Sequence, residues 1–219
     1  MAVSTGRAEV VDALKAGGLI PVIRARSADA AIRISEALVG GGIRTLEITM
    51  TVPDALGAIR AVSSALGRDV LLGAGTVTTR ETAIGAVDAG ARFLVSPAIV
   101  PDVMTVAHER DVPVLPGALT PTEVLQGHTL GGDIIKIFPA SAVGGAAYLK
   151  ALRGPFPDID FCPTGGVNLD TIGSFFEAGA VAVGVGGELV LNAAIERGEF
   201  GRITELALRY VDAVARARR

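Results

Sequence analysis

The chain has 219 residues, half of them hydrophobic, a formal net charge of −3 and one cysteine. An isoelectric point near 5.4, 4% aromatic residues and no tryptophan exclude a nucleic-acid surface of basic patches and stacking rings, and the lone Cys162 excludes an intramolecular disulfide or a thiolate metal site. No run approaches the roughly 18 apolar residues of a membrane span, and "MAVSTGRAEVV" has no basic region ahead of an apolar core, so a cytoplasmic protein of one domain over residues 1–219, with no membrane or nucleic-acid partner, is expected.

In chain order, a first helix is predicted from about Arg7 to Lys15, with Ser4 or Thr5 as its candidate cap. Short β-branched runs follow, punctuated by Gly, Pro, Ser and Thr. They are "LIPVIR" to Arg24, "RTLEIT" to Thr49, "VLLGAGT" to Thr76 and "RFLVSP" to Pro97, then "VPVLPG" to Gly117, "DIIKIF" to Phe138, "IDFCPTGG" to Gly166 and "AVAVGVGG" to Gly187. Helical stretches lie between them. "SADAAIRISEALVGGG" carries Ser27 as its N-cap and "NLDTIGSFFEAGA" carries Asn168. The recurring glycines of "VGGGIR", "DAGARF" and "EAGAVA" read as left-handed helix stops. Eight strand-then-helix units in this length fit an α/β fold of the (β/α)8 TIM barrel type with an extra N-terminal helix. "GAGT" lacks the third glycine and the acidic residue of a dinucleotide fingerprint, so no such cofactor is expected.

In a barrel of this kind, reactive groups gather at the C-terminal ends of the strands, and alternate residues point inward. In "RTLEIT", Leu46 and Ile48 then face the helices while Thr45, Glu47 and Thr49 face the interior. Lys136 shares its face with Ile134 and Phe138, and the strand ends add Arg24, Thr76 and Thr164. The chain uses only three lysines against seventeen arginines. A lysine inside a buried strand therefore points to the chemistry of its amine, because arginine stays protonated whereas desolvated lysine can lose its proton. A buried Lys136–Glu47 ion pair without catalytic role remains open on sequence alone, although such pairs seldom stabilise more than apolar residues of the same shape. "PTGG" and "GVGG" close the last two strands, where exposed backbone N–H groups could hold a phosphate; tight turns alone are the other reading. His108 and His128 sit in helical patterns without companions, and no metal site is expected.

The ordered set "LEITMTVPDA", "GAGTV", "LVSP", "LPGALTPTE", "IKIFPA", "GPFPDI" and "PTGGVNLD" closely resembles the 2-keto-3-deoxy-6-phosphogluconate (KDPG) and 4-hydroxy-2-oxoglutarate (KHG) aldolases, from about residue 10 to 215. That resemblance implies a class I aldolase releasing pyruvate from a keto acid, with no metal or cofactor, commonly as a homotrimer. It puts the Schiff-base lysine at Lys136 and the general base at Glu47. Substrate contacts fall on Thr76, Pro97 and Phe138, and the phosphate loops on Thr164, Gly165 and Gly166 with Gly186 and Gly187. Two positions depart from the common pattern. Thr51 stands where many members have a carboxylate-binding arginine, a role that passes to Arg24, and Gly187 stands where a serine is frequent. The phosphogalactonate-derived and unphosphorylated keto acids remain alternative substrates, and a non-catalytic assembly protein the alternative class.

Overall fold

A computed structural model describes residues 6–67 and 70–219. Ser4 and Thr5 lie outside the described residues. The first helix, α1 (Arg7–Gly17), starts after Gly6 and stops at the left-handed Gly18 (φ 67°), whose N–H returns to Leu14 O. Then follow β1 (Leu19–Ile23), α2 (Ala28–Gly40), β2 (Thr45–Thr49), α3 (Ala55–Leu66), β3 (Leu71–Gly75), α4 (Arg80–Asp88), β4 (Leu94–Val95) and α5 (Pro101–Glu109). The second half runs β5 (Val114–Leu115), β6 (Gly117–Ala118), α6 (Pro121–Thr129), β7 (Ile135–Ile137), α7 (Ala146–Arg153), β8 (Phe161–Pro163), α8 (Ile172–Glu177), β9 (Val183–Val185), α9 (Asn192–Glu196) and α10 (Phe200–Ala217).

Local chemistry accounts for most boundaries. Ser27 Oγ accepts the N–H of Ala30 and caps α2. Gly42, Gly90 and Gly179 take positive φ where the helices before β2, β4 and β9 end. Asn168 differs from expectation. Its Oδ1 accepts the N–H groups of Asp170 and Thr171, so it caps a turn, and α8 begins only at Ile172. No helix of the described residues is long and apolar enough to cross a membrane.

Every strand pairing is parallel. Hydrogen bonding defines a curled six-stranded sheet in the order β5-β4-β3-β2-β1-β9 and a three-stranded sheet in the order β6-β7-β8. The single fifth strand expected in "VPVLPG" is therefore two segments. Pro116 has no N–H to give to a ladder, and the two segments meet at it. Leu115 O accepts from Ser96 on one side, and Pro116 O accepts from Lys136 on the other. At the opposite seam, β8 and β9 are joined by one isolated bridge, Thr164 to Gly184.

The period-2 alternation of the strands separates two apolar layers. Leu46, Ile48, Leu72, Leu94, Val114, Ile135, Ile137 and Phe161 pack outward against the helices. Ile20, Leu71, Phe93, Val95, Leu115, Ile134 and Cys162 pack inward, joined by Val10 and Leu14 of α1. Burying a side chain such as Leu14 stabilises the fold by about 1.5–3 kcal/mol. Polar clamps hold α1 over this end. Arg7 grips Asp133 through Nε and Nη2 at 2.8 and 2.9 Å and also donates to Gly131 O, while Asp133 accepts the N–H of Val114. Lys15 pairs with Asp160, and Arg218 donates to Ala16 O. With this end covered, access to the interior is left to the other one.

Candidate active site

The C-terminal ends of the strands surround a cavity of about 340 Å³. Its floor carries Glu47 from β2 and Lys136 from β7, 2% and 7% exposed. Alternation places both inward, since their neighbours Leu46, Ile48, Ile135 and Ile137 belong to the helix-facing layer. Room for the carboxylate comes from a glycine. A Cβ on Gly75 of the adjacent β3 would lie 1.7 Å from Glu47 Oε1, so no larger residue fits there with the carboxylate in place.

Glu47 Oε1 is buried without any hydrogen-bond partner, an arrangement that costs free energy unless another group completes it. Burial pushes the Glu47 pKa above the ordinary carboxylate value, and the charges of Lys136 and Arg24 only partly oppose that rise. Lys136 and Glu47 share no hydrogen bond or salt bridge, so the buried ion pair left open by the sequence does not form as a direct contact. Lys136 Nζ lies instead over the ring of Phe138, 5.1 Å from its centroid. Cys162 flanks Lys136 in the ladder, and burial pushes its thiol up to about 12, which leaves it an inert apolar neighbour.

Arg24, just past β1, lines the same cavity and makes no hydrogen bond or ion pair among the described residues. Thr51, four residues after Glu47, turns away; its Oγ1 is 2.7 Å from Thr49 Oγ1, which itself donates to Ile23 O. Thr76 reaches the cavity from the end of β3 with φ 54°. That left-handed conformation is unfavourable for a β-branched residue and is a mark of functional loops.

Thr164, Gly165 and Gly166 after β8, and Gly186 and Gly187 after β9, line the cavity together. Close approach of the two loops depends on Gly184, where a Cβ would stand 2.2 Å from Thr164 Oγ1. The N–H groups of Gly166, Gly186 and Gly187 have no acceptor among the described residues, so they are available to an anion.

Pro97 is not brought into this group. The ladder of β4 ends at Val95, and Pro97 packs its carbonyl against Gly117, lining a neighbouring cavity of about 390 Å³ with Ala98 and Glu123; Phe138 borders both cavities. Two polar residues not singled out in the sequence, Glu188 and Asn192, line the Lys136 cavity. Glu188 directly follows "GVGG", and that adjacency was the available signal. His108 bonds Gly131 O through Nε2 and His128 is exposed, and no group of three or more metal-ligating side chains occurs among the described residues.

Comparison with known proteins gives a consistent picture. Residues 10–206 match the family described as KDPG and KHG aldolase. A 2-dehydro-3-deoxy-phosphogluconate aldolase of Pseudoalteromonas atlantica is 35% identical over 204 residues, covering 93% of this chain and 94% of that protein. The KHG/KDPG aldolase of Escherichia coli K12 is 36% identical over 199 residues, covering 91% and 93%. Among solved structures, the KDPG aldolase of Legionella pneumophila, with pyruvate captured at low pH as a covalent carbinolamine intermediate, aligns at a TM-score of 0.84 and 34% identity, covering 91% of this chain and 96% of that one.

Proposed function

The chain belongs to the KDPG and KHG aldolase family and is a lyase, and from that premise we propose that it cleaves KDPG, KHG or both, reversibly, to pyruvate and glyceraldehyde 3-phosphate or glyoxylate. The observation that carries this reading is one cavity holding a buried lysine beside a buried carboxylate that lacks a hydrogen-bond partner. The carbinolamine captured in the Legionella protein supports a covalent route.

In the proposed mechanism, unprotonated Lys136 Nζ adds to the C2 ketone to give a carbinolamine, which loses water to become an iminium. The C3–C4 bond then breaks, its electron pair moves to C3 and forms an enamine with the iminium carbon, and the C4 hydroxyl becomes the carbonyl of the released aldehyde. Glu47 takes the proton from that hydroxyl, directly or through water, and returns one to C3 of the enamine. Hydrolysis of the pyruvyl iminium frees pyruvate and the amine. The iminium is the electron sink, so the route needs no metal. A carboxylate with a pKa raised toward the working pH suits both proton transfers.

Arg24 is proposed to hold the substrate carboxylate, with Thr76 and Phe138 setting the keto acid against Lys136, and the loops of Thr164, Gly165, Gly166, Gly186 and Gly187 to receive the distal end. The two sheets are read as one closed (β/α)8 barrel. Support comes from the continuity of β5 and β6 through Pro116 and from the Thr164–Gly184 bridge. A cytoplasmic homotrimer is proposed from the resemblance, and sedimentation at three chain masses is the expected result. Release of pyruvate from KDPG and from KHG, followed with a coupled dehydrogenase, tests the activity itself. Absence of pyruvate from both would reject these substrates.

A further inference from the structure

The cavity holds a charge that the proposed reaction does not use. Glu188 is exposed, lines the cavity and makes no hydrogen bond or ion pair among the described residues, although its charge is felt by the buried Tyr210 of α10. It directly follows Gly186 and Gly187, whose free N–H groups offer a place to an anion. The lining cations do not neutralise it. Lys136 and Arg24 both act on the buried Glu47, and neither forms an ion pair with Glu188. The distal end thus combines neutral backbone donors with a carboxylate side chain, and Gly187 adds no side-chain donor of its own.

These two features act differently on different substrates. A phosphate monoester brings close to two negative charges near neutral pH, and a carboxylate beside its site opposes both. A neutral terminal hydroxyl meets no such opposition and can donate a hydrogen bond to the same carboxylate. We infer that Glu188 is a specificity-determining residue, a charge filter that lowers the preference for keto acids with a phosphate at the distal end relative to those ending in a hydroxyl. The inference rests on the aldolase reading above and deepens it, because it names the group that sets the ratio between the two substrate classes. Since Glu188 is exposed, its effect is screened by salt.

The test compares kcat/KM for 2-keto-3-deoxy-6-phosphogluconate with that for its unphosphorylated counterpart, in the wild type and in Glu188→Gln, at low and high ionic strength. The expected result is a phosphorylated-to-unphosphorylated ratio that rises roughly tenfold in Glu188→Gln at low salt, with the two proteins converging as salt is added. A ratio that stays the same or falls in the variant would overturn the inference. Deuterium exchange into the pyruvate methyl group is measured on the same samples. It requires the enamine but involves no distal group, so its absence in the wild type would remove the aldolase reading, whereas normal exchange with an unaltered ratio would remove only the role of Glu188.

Discussion

At the N-terminal ends of the strands, α1 lays Val10 and Leu14 on the inward apolar layer, and the charges beside it are partnered: Arg7 with Asp133, Lys15 with Asp160, Arg218 with a backbone carbonyl. At the C-terminal ends the same strands carry Glu47, Lys136 and Arg24 around an open cavity with no ion pair among them, and Glu47 Oε1 lacks any hydrogen bond. One end satisfies its polar groups internally and closes. The other leaves them for a ligand to satisfy, which is how a folded chain accepts local instability in exchange for reactivity.

Substitutions can break this contrast, and the largest effect is expected at Lys136. Lys136→Arg keeps a cation but offers no amine able to lose its proton, so kcat/KM for aldol cleavage should fall by roughly five orders of magnitude. Retained turnover would remove the covalent role. Next comes Glu47→Gln, with kcat lowered by about 10²–10⁴-fold, as for loss of a general base. The same variant should gain thermal stability. Because the folded pKa of Glu47 lies above its unfolded value, the folded state binds more protons than the unfolded state between those two values, and wild-type stability falls as pH rises through that window. The Tm advantage of Glu47→Gln should therefore grow from pH 4.5 upward and level off above the folded pKa. An advantage independent of pH would contradict the burial argument.

Arg24→Ala is expected to raise the pyruvate KM roughly tenfold or more, the cost of one charge-assisted hydrogen bond, while Thr51→Ala leaves it near the wild-type value. The reverse order would return the carboxylate site to position 51. The smallest effect on catalysis belongs to the closed end. Arg7→Ala leaves Asp133 without its charged partner and should lower stability by about 1–3 kcal/mol in urea unfolding, with kcat/KM unchanged. A loss of turnover in the folded variant would mean that the two ends are coupled.

Much of this contrast was legible in the residues. The strict alternation of "TLEIT" placed Glu47 opposite Leu46 and Ile48, and the scarcity of lysine singled out Lys136, because both are local properties of a strand. What was missed depends on partners distant in sequence. Nothing in "VPVLPG" marks Pro116 as the point at which the ladder divides into β5 and β6, and "RFLVSP" does not reveal that the Pro97 carbonyl packs against Gly117. Glu188 reads as an ordinary loop charge until the two glycine loops are seen to share a cavity with it. Likewise Asn168 has the composition of a helix cap, and only the fold shows a turn between it and α8.

The covalent role of Lys136 is tested most directly by adding borohydride to the wild-type protein with pyruvate, followed by peptide mass spectrometry. The account predicts one reduced pyruvyl adduct, on Lys136, absent without pyruvate and absent in Lys136→Arg. An adduct on Lys15 or Lys150, or no pyruvate-dependent adduct in the active enzyme, would contradict it.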